Sequence, residues 1–317
     1  MATATPKATP KEKSLHVLVK PGQDISAAAL PALGPYTLRG STANFDVYYD
    51  DSLGANGKNL ADAVLANCER DFTQLQTWFG GIAAGRFTVY IDPGTFGAYH
   101  ASCAGTELHC AAFAGTNGDL ENFLNAAEVD EVFMANQNAG WNCAASNGEG
   151  LSRVLATERY PAQLDGFASG ANWLDSSRPD WLTNTEQTDR NYVSIGCSTL
   201  FLNYLRYQLG FTWDRIVQAG GSTLEETYQK LTGRSQAYAV FAPLLQYRFP
   251  SGIPSGLSND NPFPIQIPAQ RPYAFATASD GHLWVNWWDN TAWHWADQGT
   301  PPGQTVVSTV GVLTVLP

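Results

Sequence analysis

Ala127-Glu128-Val129-Asp130-Glu131, followed after a Gly/Asn loop by Gly148-Glu149-Gly150-Leu151-Ser152, is the part of the chain on which the fold reading turns. The first run lies within residues 120–136. There Phe123, Leu124, Ala127, Val132 and Phe133 recur at the three- and four-residue spacings of one buried helical side. Asp119, after a glycine, is placed to cap that helix. On a helix, positions 127 and 131 share a face, Glu128 lies beside it, and Asp130 points elsewhere.

The elements to either side alternate in type. Upstream, residues 44–50 alternate apolar and polar side chains, as in a half-buried strand. Residues 58–79 carry a stripe of Leu60, Val64, Leu65, Cys68, Phe72, Leu75 and Phe79, which predicts a helix ended by Gly80-Gly81. A strand is expected at 86–91, stopped by Asp92-Pro93-Gly94, and a short one at 107–113. Downstream, a helix opens at Asn147 and closes before Pro161. The most apolar helix spans 193–209, up to Gly210, and shorter helices are expected at about 212–219, 222–232 and 236–247. Before residue 40 only a short strand at 15–19 is suggested. The predicted class is α+β, with a mixed α/β body.

Strand, long helix, two strands and an acid-bearing helix resemble the opening of the gluzincin metallopeptidases. Those enzymes carry H-E-x-x-H on one helix and a further Glu on the next, so that two imidazoles and a carboxylate hold zinc. Carried onto this sequence, the resemblance puts Ala127 at the first His position, Glu128 at the general base, Glu131 at the second His position and Glu149 at the third ligand. It covers about residues 44–248, including the helix at 193–209 and the Leu231-Thr232-Gly233 segment. Alanine offers no donor and Glu131 only a hard oxygen, so ordinary zinc peptidase chemistry is not expected. No metal and no cofactor are assigned.

Two readings of the remaining acids stand side by side. Glu128, Glu131 and Glu149 line one cleft, raise one another's pKa and supply a catalytic acid. Alternatively they are solvated, or paired with Arg153 or Arg159. An oxygen-only calcium site has too few visible ligands. His100, Cys103, His109 and Cys110 lie close in sequence but lack paired zinc-ligand spacing, and a local disulfide between Cys103 and Cys110 with two surface histidines is expected. The five cysteines (68, 103, 110, 143 and 197) leave at least one thiol outside an intramolecular pair. No G-x-S-x-G, P-loop or Rossmann glycine pattern occurs.

The 317 residues carry a net charge of −11, which disfavours nucleic acid. No apolar run approaches the ~18–20 residues that span a bilayer. Residues 1–20 hold four of the six lysines and one acid, so the basic charge is concentrated there. Residues 1–40 read as a flexible basic segment or a docking or export address. No apolar stretch of the secretory type follows the lysines. The composition suggests an extracellular protein, or one exported by a non-standard route.

Six prolines between Phe249 and Pro272 mark a semi-rigid linker, taken as 249–271. Beyond it, Ser279-Asp280-Gly281-His282-Leu283-Trp284-Val285-Asn286-Trp287-Trp288-Asp289 and Ala292-Trp293-His294-Trp295-Ala296 resemble one repeat of the bacterial fucose-binding β-propeller lectins. The resemblance implies a Trp-rich all-β unit over 272–317. Trp284, Trp287, Trp288, Trp293 and Trp295 would stack on a fucose-like glycan. A further strand is expected at 306–315. One blade cannot close a propeller, so a homo-oligomer or a partner protein is implied.

The combined expectation, with the body taken as 41–248, is a non-catalytic binding or assembly protein on an inactive peptidase-like scaffold. The alternatives are a hydrolase using the carboxylate cluster and a glycan-binding lectin.

Overall fold

The computed structural model of the protein describes residues 34–94, 97–113, 115–163, 165–248, 273–277, 283–288 and 293–297. The chain divides into two compact units, Met1–Phe263 and Pro264–Pro317. No described helix is long and apolar enough to cross a membrane. The strand expected at 15–19, the linker at 249–271 and the strand at 306–315 lie outside the described residues.

The first unit is mixed α and β. Its sheet has the order β1-β2-β3-β5-β4, formed by β1 (Tyr36–Ser41), β2 (Phe45–Asp50), β3 (Phe87–Pro93), β4 (Ala98–His100) and β5 (Glu107–Ala112). β2, β3 and β5 are parallel, and the edge strands β1 and β4 run antiparallel to their neighbours. β1 falls within the segment expected to be a tail. Its side chains are largely exposed, so it has no buried alternation to betray it. It is held by pairing to β2 and by Tyr36 Oη donating to Asp92 Oδ1 at 2.6 Å.

Phe45, Val47 and Tyr49 of β2 lie in register with Phe87, Val89 and Ile91 of β3, all turned inward. α1 (Gly54–Trp78) covers this face with Leu60, Val64, Cys68, Phe72 and Leu75. Phe72 is the meeting point, its ring centroid 6.0 Å from Phe45, 6.2 Å from Phe87 and 5.3 Å from Phe133. Phe133 belongs to α2 (Gly118–Gln137). The cap of α2 is Asn117, whose Oδ1 accepts from Leu120 N at 2.9 Å, and not the expected Asp119, which already lies in the first turn.

The rest of the unit is helical: α3 (Ser146–Arg159), α4 (Asp165–Leu174), α5 (Tyr192–Asn203), α6 (Trp213–Gln218), α7 (Leu224–Thr232) and α8 (Ala237–Arg248). α5 does not continue as an α-helix to residue 209. Tyr204–Gln208 form a π-helical turn, in which Leu209 N donates to Tyr204 O. α4 was not among the expected helices, although Ala171, Trp173 and Leu174 in its second half are buried. Its Ser169 and Gly170 are buried and let it approach α5 closely. A similar approach joins α3 to α5, where a Cβ on Gly150 would fall 2.5 Å from Ser198 Cβ.

In the second unit, β6 (Tyr273–Thr277), β7 (Leu283–Trp288) and β8 (Trp293–Asp297) form an antiparallel sheet in that order. The register sets Trp288 opposite Trp293, Asn286 opposite Trp295 and Trp284 opposite Asp297.

Candidate functional site

α2 is the axis of the site. Residues 120–134 are buried without interruption, because the helix packs on α1, α3, β4 and β5. A helix enclosed on every side is normally apolar throughout. This one buries Glu121, Glu128, Asp130 and Glu131. The acids are therefore not solvated, and that part of the sequence expectation is corrected.

β4 brings the imidazole. In the β4–β5 pairing His100 is opposite Leu108 and Tyr99 is opposite His109. Side chains alternate across a strand, so His100 faces the core with Leu108 while His109 takes the other face with Tyr99. His100 is 0 % exposed, which corrects its reading as a surface histidine. Its Nδ1 lies 3.3 Å from Gly105 O. A carbonyl can only accept, so Nδ1 carries the hydrogen. Nε2 then faces Glu131 Oε2 at 2.9 Å and Glu128 Oε2 at 3.7 Å. Either an imidazolium donates to the Glu131 carboxylate or a neutral ring accepts from the acid. One proton occupies the contact in both cases.

α3 supplies a guanidinium. Glu149 sits in its first turn, and Arg153 one turn later donates from Nη1 to both Glu149 Oε2 and Glu149 O. Arg153 is 2 % exposed, and its Nη2 has no hydrogen-bond partner. Arg159 pairs instead with Asp71 at 2.9 Å. Burial lifts Glu128 well above the usual carboxylate range. The charges of Glu131 and Glu149 add to the rise, and Arg153 partly opposes it. Glu128 Oε2 lacks a hydrogen-bond partner.

Two further buried acids were not singled out by sequence. Asp130 is raised well above its ordinary value by burial and by Glu131. Glu121 is pushed up to about 8 by burial and then by Asp92. Neither carboxyl has a hydrogen-bond partner.

The disulfide joins Cys103 to Cys143, with Cα atoms 5.7 Å apart, and not to Cys110. Cys110 is free, on β5, and turned into the core by the pleat, whereas Cys103 lies in the half-buried loop after β4. Sequence proximity therefore misleads: His100, Cys103, His109 and Cys110 do not converge. His109 is occupied elsewhere, with Nδ1 2.7 Å from Asp92 Oδ2 and its ring stacked between Tyr90 and Tyr99. What does converge is His100, Glu131 and Cys143, with donor atoms all within 4.8 Å of one another.

The positions at which a gluzincin-like arrangement would hold zinc do not fit the ion as they stand. Ala127 has no donor, and Glu149 is engaged by Arg153. The structure brings Glu128 and Glu131 together at His100, and it joins Glu149 to Arg153. Trp284, Trp287, Trp288, Trp293 and Trp295 lie at strand positions in the second unit. Neither a scan against protein-family models nor a search of curated proteins returned a match.

Proposed function

We propose that the protein is a non-catalytic binding or assembly protein, in which the first unit is a scaffold and the second makes the contacts. The carrying observation is that basic side chains engage the acids internally, with Arg153 on Glu149 and His100 against Glu131, all buried. A hydrolytic site needs its acid or base within reach of substrate. Here the enclosing elements leave almost no exposed surface on any of these groups.

For the contacting unit, the support is the register of β7 and β8. Alternate positions of a pleated strand share a face, and directly opposed residues lie on the same one. Trp284, Trp288, Trp293 and Trp295 thereby occupy positions on one face, with Asn286 among them. Aromatic and amide groups suit a fucose-like sugar or a second subunit. The test is a glycan array combined with light scattering on the full chain. Glycan binding lost in Trp288→Ala, or a stable oligomer, supports the proposal. A monomer that binds no glycan and cleaves peptides refutes it.

A hydrolase is the second reading, favoured by the buried Glu128, whose carboxyl pKa burial holds above the usual range, 3.7 Å from His100 Nε2. A peptide-library digest decides it: turnover abolished in Glu128→Gln establishes catalysis.

A further inference from the structure

We infer that the Cys103–Cys143 disulfide is a redox lock on a divalent-cation site formed by His100 Nε2, a Glu131 carboxylate oxygen and the Cys143 thiolate. The inference does not depend on the binding role of the second unit.

Imidazole, carboxylate and thiolate are three donors of the kinds that zinc accepts, and three protein ligands leave a fourth position open. The donor atoms lie within 4.8 Å of one another. Around tetrahedral zinc, bonds of about 2.0–2.3 Å put such donors roughly 3.5 Å apart. The His100–Glu131 contact of 2.9 Å has to open slightly and Cys143, at most 4.8 Å from either, has to close by up to about 1 Å, which needs its sulfur released from Cys103. A second observation points to the same place. Glu128, buried and 3.7 Å from His100 Nε2, has an Oε2 with no hydrogen-bond partner. A cation at His100 and Glu131 would give that oxygen a charged neighbour or a bound water.

The opening step has a defined direction. Cys143 is buried, whereas Cys103 is only half-buried, so an incoming thiol reaches the Cys103 sulfur. A dithiol attacks there as its thiolate. The S–S bond breaks, and the electron pair leaves on Cys143 Sγ, facing His100. The second thiol of the reductant then displaces Cys103, whose sulfur leaves with the proton that thiol gives up. Two electrons end on the two cysteines, and the dithiol becomes a disulfide. Cys143 then meets the cation as its thiolate.

The experiment is a Co²⁺ titration of the full chain, oxidised and after reduction with a phosphine that is then removed under argon. The reduced protein is expected to bind one Co²⁺ per chain with thiolate-to-cobalt charge-transfer absorption, displaceable by Zn²⁺. Oxidised protein should bind far more weakly. Loss of an outer-shell partner alone costs about 10–100-fold in metal affinity, so loss of a ligand costs no less. Cys103→Ser should bind without reduction, and Cys143→Ser should not bind in either state. Circular dichroism reports whether each form is folded. Folded reduced protein without the charge-transfer band, equal affinity in both redox states, or unfolding of both the reduced protein and Cys103→Ser each overturns the inference. None of these outcomes bears on glycan binding or oligomerisation, so the two proposals fail separately.

Discussion

Arg153→Met is the substitution that most directly tests how the acids are held. The guanidinium is 2 % exposed and its partner Glu149 is equally buried, so neither charge can retreat to water. Methionine keeps most of the aliphatic stem but removes the guanidinium that faces the Glu149 carboxylate. Removing one partner of a buried pair costs about 3–5 kcal/mol. With a urea m-value of about 3 kcal/mol/M for a body of this size, the midpoint should fall by about 1–1.7 M. The double variant Glu149→Leu/Arg153→Met removes both charges and should recover to within about 1 kcal/mol of wild type or exceed it, because buried pairs are often replaceable by apolar side chains. The assay is urea unfolding followed by tryptophan fluorescence and circular dichroism in parallel, analysed as a double-mutant cycle. A single-variant loss under about 0.5 kcal/mol, or additive losses in the cycle, would refute the buried-pair account.

Glu121 holds a proton in the folded chain up to about pH 8 but loses it near pH 4.3 when unfolded. Across that interval the native state binds the extra proton, so stability falls with rising pH by up to about 1.4 kcal/mol per pH unit for this group. Glu121→Gln should flatten the urea-midpoint profile by that amount, and parallel profiles for the two proteins would contradict it. Gly150→Ala drives a methyl to 2.5 Å from Ser198 Cβ and should cost about 1–3 kcal/mol through overpacking, with Gly150→Ala/Ser198→Gly recovering part of the loss. Asn117→Ala removes the side-chain cap of α2 and should cost about 1 kcal/mol in the same unfolding assay.

Local pattern and long-range pairing contribute differently to what could be read from the sequence. α1 was legible because its stripe faces one sheet, and β2 and β3 because each buries alternate residues. α2 was legible as a helix but not as an enclosed one. Its acids look solvent-facing by composition, and only the packing of β4 and α3 encloses them. His100 could be weighed as a ligand, but sequence proximity grouped it with His109. The pleat separates the two, because adjacent registers point to opposite faces. Cys143 lies 40 residues from Cys103, and nothing in an odd count of cysteines selects that pairing. Glu149 and Arg153 carried a usable signal, an acid four residues before a base on one helix. α4 carried Phe167, Ala171 and Leu174 at helical spacing, but over only ten residues interrupted by two glycines.

The enclosure of α2 also fixes how the amide hydrogens of residues 120–134 can meet solvent. Every flank of the helix is covered by a different element, so fraying one neighbour does not bare it. Deuterium should enter this segment only when the whole first unit opens, later than it enters β1 or α7, with a rate set by global stability. While the Cys103–Cys143 bond is closed, any process that delivers water to these carboxyls in the folded protein would have to run as a rare, collective breathing event and not as the swing of a loop.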